Sequence, residues 1–348
     1  MGDQVRIGYS FWGFLGPGIT DTPDGGRSHR RPLIDGLRAA GHDIVFLQPN
    51  RDLHEARLDL TGHYRWDTGL PDIDALFLEW RWPIPGRNTT GCGRPGHTCD
   101  LHRQADLLAH YTHHLGTPTI LWDKDRQLPA TDPLRQARNV TICEPALYPA
   151  PGAVPLLFPV ADEAIDTADP ASLAARHRRR PLVYVGNQYD RDDAFDTFFA
   201  PAAAQLPHLI AGKWSDTRRW PGLRFIGRVR FPQVAAIYAD ALATVLLLPA
   251  RYAAAGQMTQ RIFEAVLAGC VPLLPSHIRG AAALAPSRLR VANATEVRHR
   301  IGWLIEVAGT GEHAGLIAEC LRHLEPFRLS TQLDVLDRLL HHPAGVRP

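Results

Sequence analysis

Residues 257–272 read Gln257-Met258-Thr259-Gln260-Arg261-Ile262-Phe263-Glu264-Ala265-Val266-Leu267-Ala268-Gly269-Cys270-Val271-Pro272. The pattern is a loop that enters a helix and leaves it through a glycine into a short apolar strand. The first N–H groups of a helix have no partner inside it and sit at the positive end of its dipole, so such an entry suits a diphosphate. Glu264, on the opening turns, is placed to accept hydrogen bonds from ribose hydroxyls. A bound diphosphate also needs fixed cations, which can meet its charge without a metal. Arg191, Lys213 and Arg261 are the candidates, the first two just past predicted strand ends, where α/β sheets bind ligands. Read singly, each is equally a solvated surface cation.

The first half offers carboxylates. Asp123 and Asp125 follow the apolar run Thr119 to Trp122, and Glu79 follows Ala75 to Leu78. At strand ends any of the three could take a proton from an acceptor hydroxyl; the alternative for each is a helix cap or an ion pair. Gly25-Gly26 precedes a helical pattern and would let backbone approach a phosphate or sugar, or is simply a turn. Cys92, His97, Cys99 and His102 share one Gly/Pro-rich loop. Two thiols and two imidazoles at that range could hold tetrahedral zinc, line an acceptor, or form a Cys92–Cys99 disulfide; their spacing matches no standard zinc pattern. Trp12, Phe14, Trp80 and Trp82 lie near predicted strand ends and serve either stacking on a planar ligand or core packing.

Positioning these groups takes strands with loops at their carboxyl ends. Val5 to Tyr9, Ile44 to Leu47, Ala75 to Leu78, Thr119 to Trp122 and Val140 to Cys143 are short apolar runs separated by helical spacing, as in Leu33, Leu37 and Ala40. Runs that do not alternate are those of parallel strands covered on both faces. A polar, Ala-rich stretch ending in Arg178-Arg179-Arg180-Pro181 interrupts the series. It resumes with Leu182 to Val185, His208 to Ala211, Arg224 to Ile226, Thr244 to Leu248 and Val271 to Leu274, after which Glu296 to Leu340 is helical by spacing. The division expected is a domain over 1–165, a linker over 166–180, a second domain over 181–325, and a terminal helix within 326–348 that could cross back to the first.

The 348 residues exceed one ordinary core, which agrees with two domains. With 38 basic and 36 acidic side chains there is no field to draw in nucleic acid or an anionic membrane. No apolar run is long enough to span a bilayer, and five scattered cysteines suit a reducing compartment, so the expected location is cytoplasmic, with no integral membrane association.

The run phenylalanine, glutamate, alanine, then small residue, glycine, apolar residue and proline, carried here by Phe263 to Pro272, resembles the donor-binding helix of retaining glycosyltransferases with two Rossmann-like domains, the GT-B class. Upstream, Tyr184-Val185-Gly186-Asn187-Gln188-Tyr189-Asp190-Arg191, Ala211-Gly212-Lys213-Trp214 and Phe225-Ile226-Gly227-Arg228-Val229 are similar to strand-end loops of the spore-maturation-protein-like branch of that class. Gly25-Gly26 and Gly41-His42-Asp43-Ile44-Val45 are similar to its first loop, helix and second strand. The resemblance implies an α/β fold of two Rossmann-like domains facing a central cleft. It implies an enzyme that moves a sugar from a nucleoside-diphosphate sugar to a hydroxyl or amine of a small-molecule or glycan acceptor, with no cofactor; that no nucleic-acid partner is expected follows from the charge balance. The donor residues it implies are Gly25, Gly26, Asn187, Arg191, Lys213, Gly227, Arg228, Val229, Gln257, Met258, Thr259, Arg261 and Glu264. One feature departs from the pattern: many retaining members carry a glutamate eight positions before the ribose glutamate, where this chain has Gly256. Gln257 and the backbone around Met258 would then meet the sugar. A sugar-nucleotide epimerase, a phosphorylase, or a sugar-nucleotide-binding protein without catalysis would share the architecture.

Overall fold

The computed structural model describes residues 4–17, 26–86 and 88–341. They form two compact units: residues up to 157 with 329–341 make the first, and 158–328 the second.

The first unit is built on seven parallel strands, β1 (Arg6–Ser10), β2 (Asp43–Phe46), β3 (Arg65–Trp66), β4 (Ala75–Glu79), β5 (Thr119–Trp122), β6 (Val140–Glu144) and β7 (Val154–Pro155), in the order β3-β2-β1-β4-β5-β6-β7. Each residue of β4 and β5 is buried, which is why these strands read as continuous apolar runs. Tyr9 of β1 stacks on Phe77 of β4 with ring centroids 4.6 Å apart, and Trp122 meets Phe77 edge-on. The helix Arg27–Ala39 buries Leu33, Ile34 and Leu37. The order reverses between β1 and β4, and ligands of open α/β sheets bind beyond the strand ends at such a point.

The second unit has five parallel strands, β8 (Arg180–Val185), β9 (His208–Ala211), β10 (Ala241–Val245), β11 (Val271–Pro275) and β12 (Arg290–Val291), ordered β12-β11-β10-β8-β9, with its reversal between β8 and β10. Pro272 pairs with Thr244 of β10, whereas β12 reaches only Leu274 and Pro275. On that side β11 is locally an edge, so a residue without an N–H is tolerated. The expected strand Arg224 to Ile226 is reduced to a single bridge, Phe225 to Ile210, because Pro221 and Gly222 before it and Gly227 after it leave only the four residues Leu223 to Ile226 between them.

Two boundaries differ from the sequence reading. The segment 166–180 is not a linker. Asp169 caps the helix Pro170–Ala175 through the N–H groups of Ala171 and Ser172, both at 3.1 Å. Leu173 and Ala174 are buried, and Arg178 Nη2 donates to the Gly269 carbonyl at 2.9 Å. The stretch holds one large apolar side chain, too weak a pattern to betray a packed helix, although Asp-Pro is a helix-start signal. The units also divide at 157, not 165, and the terminal helix Leu329–His341 belongs to the first unit. There Gln332 Oε1 accepts from Leu157 N–H at 2.7 Å, and Leu329 and Leu333 lie so close to Gly36 that a Cβ there would meet them at 3.0–3.2 Å.

Candidate active site

In the second unit the loops after β8 and β9 are locked together. Gly186 N–H donates to Ala211 O, and Gln188 N–H donates to Lys213 O at 2.9 Å. Asn187 Oδ1 accepts from Lys213 N–H at 2.8 Å, and Trp214 Nε1 donates to Gly186 O at 2.9 Å. Gly212, at φ 139°, passes so near Gly186 that a Cβ would stand 2.0 Å from its carbonyl oxygen. Gly212 N–H donates to Gly227 O, bringing in the third loop with exposed Arg228 and half-buried Val229. Asn187, Lys213 and Gly227 are thus drawn together by backbone contacts at the carboxyl ends of β8 and β9.

Arg191 does something other than face solvent. It is buried, its Nη1 donates to the carbonyls of Asn187 and Tyr189, and its Nε donates to Leu247 O beyond β10. The guanidinium therefore fastens two strand-end loops across the reversal point.

Arg261 stands over Gly186. A Cβ at Gly186 would lie 2.6 Å from its guanidinium carbon, which also sits 5.7 Å from the centre of the Tyr184 ring. Nη1 of Arg261 and the hydroxyls of Tyr184 and Tyr238 are buried and make no hydrogen bond among the described residues. Glu264 is half-buried one turn along the helix Arg261–Leu267. Burial raises the Tyr238 phenol well above its ordinary range, and the Glu264 charge adds to that. Gln257, Met258 and Thr259 are buried in the loop before this helix, and Gly256, at φ 62°, closes the helix Ala250–Ala255. The helix Arg261–Leu267 has only seven residues, so its dipole is short and the Arg261 side chain is the stronger anion-seeking feature.

In the first unit the three carboxylates have three different environments. Glu79 is fully buried: Arg30 grips it with Nε on Oε1 and Nη2 on Oε2, both at 2.7 Å, Tyr9 donates to Oε1 at 2.9 Å, and Lys124 pairs with Oε2. Burial alone would raise its pKa, but Arg30, Lys124 and Arg81 outweigh that and hold it well below its usual range. So enclosed and paired a carboxylate cannot receive a substrate proton, and Glu79 is a scaffold for the strand ends. Asp123 is buried too, accepting from Gln127 N–H at 2.9 Å and Leu128 N–H at 2.8 Å. Burial pushes it up to about 6 against those hydrogen bonds, with Asp125 and Glu144 adding repulsion. It caps the 123–128 turn. Asp125, half-buried in that turn, is the most accessible of the three.

Gly25 lies outside the described residues. Gly26 precedes the first turn of Arg27–Ala39, and a Cβ there would stand 2.6 Å from Arg30 Nη2. Its role in the structure is to admit the Arg30 guanidinium. Around Trp12 and Phe14 the ring faces are taken by Arg51, 5.5 and 4.7 Å from their centres, while Trp80 packs on the core beside β4. Arg30, Lys124 and Tyr238 are not singled out by the sequence, and Tyr9 and Tyr184 are read there only as members of strand patterns. Arg30 carries a legible signal, because it lies three and seven residues before Leu33 and Leu37, a charge on the buried stripe of its helix.

Two Rossmann-like units, each with a parallel sheet and a loop constellation at its switch point, define the GT-B fold. Comparison with solved structures agrees across nearly the whole chain. The T4 phage enzyme BGT in complex with UDP-glucose superposes with a TM-score of 0.65 at 11% identity, covering 98% of this chain and 100% of that one. AviGT4, a glycosyltransferase involved in avilamycin A biosynthesis, gives 0.60 at 13% identity over 98% of both chains. HepE of Anabaena in complex with UDP-glucose gives 0.58 at 11% identity over 97% of this chain and 100% of that one. No family model matches the sequence, and no curated protein matches it.

Proposed function

We propose that this protein transfers a glycosyl group from a nucleoside-diphosphate sugar to a hydroxyl or amine of an acceptor. The observation that carries the reading is Arg261, whose Nη1 is buried above Gly186 at the switch point of the second unit and has no acceptor among the described residues. A buried guanidinium N–H without a partner is costly, and a diphosphate oxygen is the partner its fork geometry suits. Glu264 beside it would take the ribose hydroxyls, and exposed Lys213 would add charge to the departing diphosphate. Two of the fold relatives hold UDP-glucose, which makes it the first donor to test.

The first unit would present the acceptor, with Asp125 taking its proton. A small molecule or glycan fits better than nucleic acid: T4 BGT is a DNA-modifying enzyme, but 38 basic against 36 acidic residues give this chain no long-range pull on a polyanion. Among the described residues no helix is long and apolar enough to cross a membrane, which accords with work in the cytoplasm. Fixed cations rather than a divalent metal would serve the diphosphate, so donor affinity should not change on adding Mn2+. Gly256, where many retaining enzymes carry a glutamate, favours one second reading, a protein that binds the donor without turning it over.

The test is thermal stabilisation by a panel of nucleoside diphosphates and their sugars. A ligand at a hundred times its dissociation constant adds about 2.7 kcal/mol. One nucleobase should give a clear shift that Arg261→Ala and Glu264→Ala each abolish. No shift from any nucleotide would sink the proposal, and a shift without turnover on any acceptor would select the second reading.

A further inference from the structure

The loop between β4 and the helix Asp100–Leu107 brings Cys92, His97, Cys99 and His102 together, and one potential ligand atom from each lies within 4.8 Å of all the others. We propose that they bind one structural zinc ion, a site carried by the first unit.

The backbone makes this convergence possible. Gly93, at φ 76°, and Gly96, at φ 82°, supply left-handed turns. Arg94 N–H closes on Gly91 O, and His97 N–H on Arg94 O, so that His97 returns beside Cys92. Cys99, a residue with a side chain, is itself left-handed at φ 58° and stands at the start of Asp100–Leu107 without a side-chain cap bond. That conformation costs roughly 1–2 kcal/mol for an L-residue, and observed strain of this sort needs a compensating interaction. The segment is largely exposed and has almost no apolar side chains of its own, so burial does not supply one.

The ligand chemistry is consistent within the cluster. His97 Nδ1 lies 2.7 Å from Thr90 O, so it carries the proton and donates, leaving the Nε2 lone pair to point inward. A backbone carbonyl fixing the tautomer of a metal-binding imidazole is the usual outer-shell arrangement. His97 Nε2 is 2.8 Å from Cys99 Sγ and 3.4 Å from Cys92 Sγ, and His102 Nδ1 is 2.7 Å from Cys92 Sγ. Ideal bond lengths to zinc place sulfur and nitrogen about 3.5 Å apart on a tetrahedron, so small outward movements would seat the ion. Two thiolates and two imidazoles select zinc over hard cations, and four protein ligands leave no open position for catalysis.

The ion would order the loop beyond Glu79. On its near side the loop is already tied down: Asn88 Nδ2 donates to Trp82 O and Asp100, and Gln104 bonds both the N–H and the carbonyl of Arg81. On its far side, residues 91–102, the four ligands are the main convergent feature.

The test is metal analysis of the full-length protein purified without chelator and with reductant. One zinc per chain is expected, unchanged in Cys143→Ser and lost in Cys92→Ser and in His102→Ala. Cobalt added to the metal-stripped protein should give the intense visible bands of a tetrahedral thiolate site. Chelation should accelerate amide exchange in 88–103 by about tenfold or more while leaving β8 and β9 unchanged. Zinc well below stoichiometry together with no tetrahedral cobalt spectrum would overturn the proposal, as would a Cys92–Cys99 disulfide in protein thiol-blocked at lysis. These readouts need no enzymatic activity and stand apart from the donor assay.

Discussion

A buried carboxylate is tolerated only when its charge is met, and that of Glu79 is met by Arg30 and Lys124 together. Removing one member leaves Arg30, itself fully buried, without its bidentate partner. Glu79→Gln should cost about 3–5 kcal/mol in urea unfolding. The double change Glu79→Leu with Arg30→Met should cost clearly less than the sum of the single changes, because the two residues act as one unit. Additive losses would show that the pair is not coupled. Asp123 should reveal itself in the pH dependence of stability. Its pKa rises from 3.8 to about 6 on folding, so the native state keeps a proton that the unfolded chain has released. Its contribution is fully present below pH 3.8 and is lost as pH rises through about 6. Relative to Asp123→Asn, the wild type should lose roughly 2–3 kcal/mol between these limits and then level off. A difference that is flat with pH would contradict the buried, proton-holding carboxyl. For Asp125 the expectation is kinetic: Asp125→Asn should lower turnover by about 10²–10⁴-fold and leave donor affinity unchanged. Wild-type turnover would remove it as the base.

Among the elements, the close pass of β8 and β9 is the most exacting. Gly212→Ala puts a Cβ against the Gly186 carbonyl in a backbone region that side chains rarely adopt. It should both destabilise the second unit and abolish nucleotide-induced stabilisation. Retention of full nucleotide affinity would show that the loops need not be locked to bind. The longer strands of both units were legible because burial imposes apolar runs: Thr119–Trp122 and His208–Ala211 coincide with their sequence signals. The two-residue edge strands β3, β7 and β12 were not, since so short a pairing imposes no pattern on the sequence. In the second unit, the close approach of the strand-end loops was legible at Gly212 and Gly227, because it restricts residue type. That Glu79 is enclosed and Arg191 fastens loops was not, because sequence position gives a strand end but not what covers it.

At the scale of the molecule, the chain leaves its first unit at 157 and returns to it at 329, so the first unit is completed by the last helix. The apolar side of Leu329–His341 is the partner of the Gly36 face, and Gln332 satisfies the buried N–H of Leu157. A chain ending at Arg328 would expose that face and leave that N–H without its acceptor, while the second unit, 158–328, keeps all its strands. Calorimetry of this truncated form should therefore show the first unit unfolding at a lower temperature. Nucleotide should still raise the unfolding temperature of the second unit, because Gly186, Gly212, Arg261 and Glu264 all lie within it. Loss of the nucleotide effect together with the first unit's stability would mean that donor binding depends on both units being folded, and the donor site would then have to be assigned to more than the loops of β8 and β9 and the Arg261 helix.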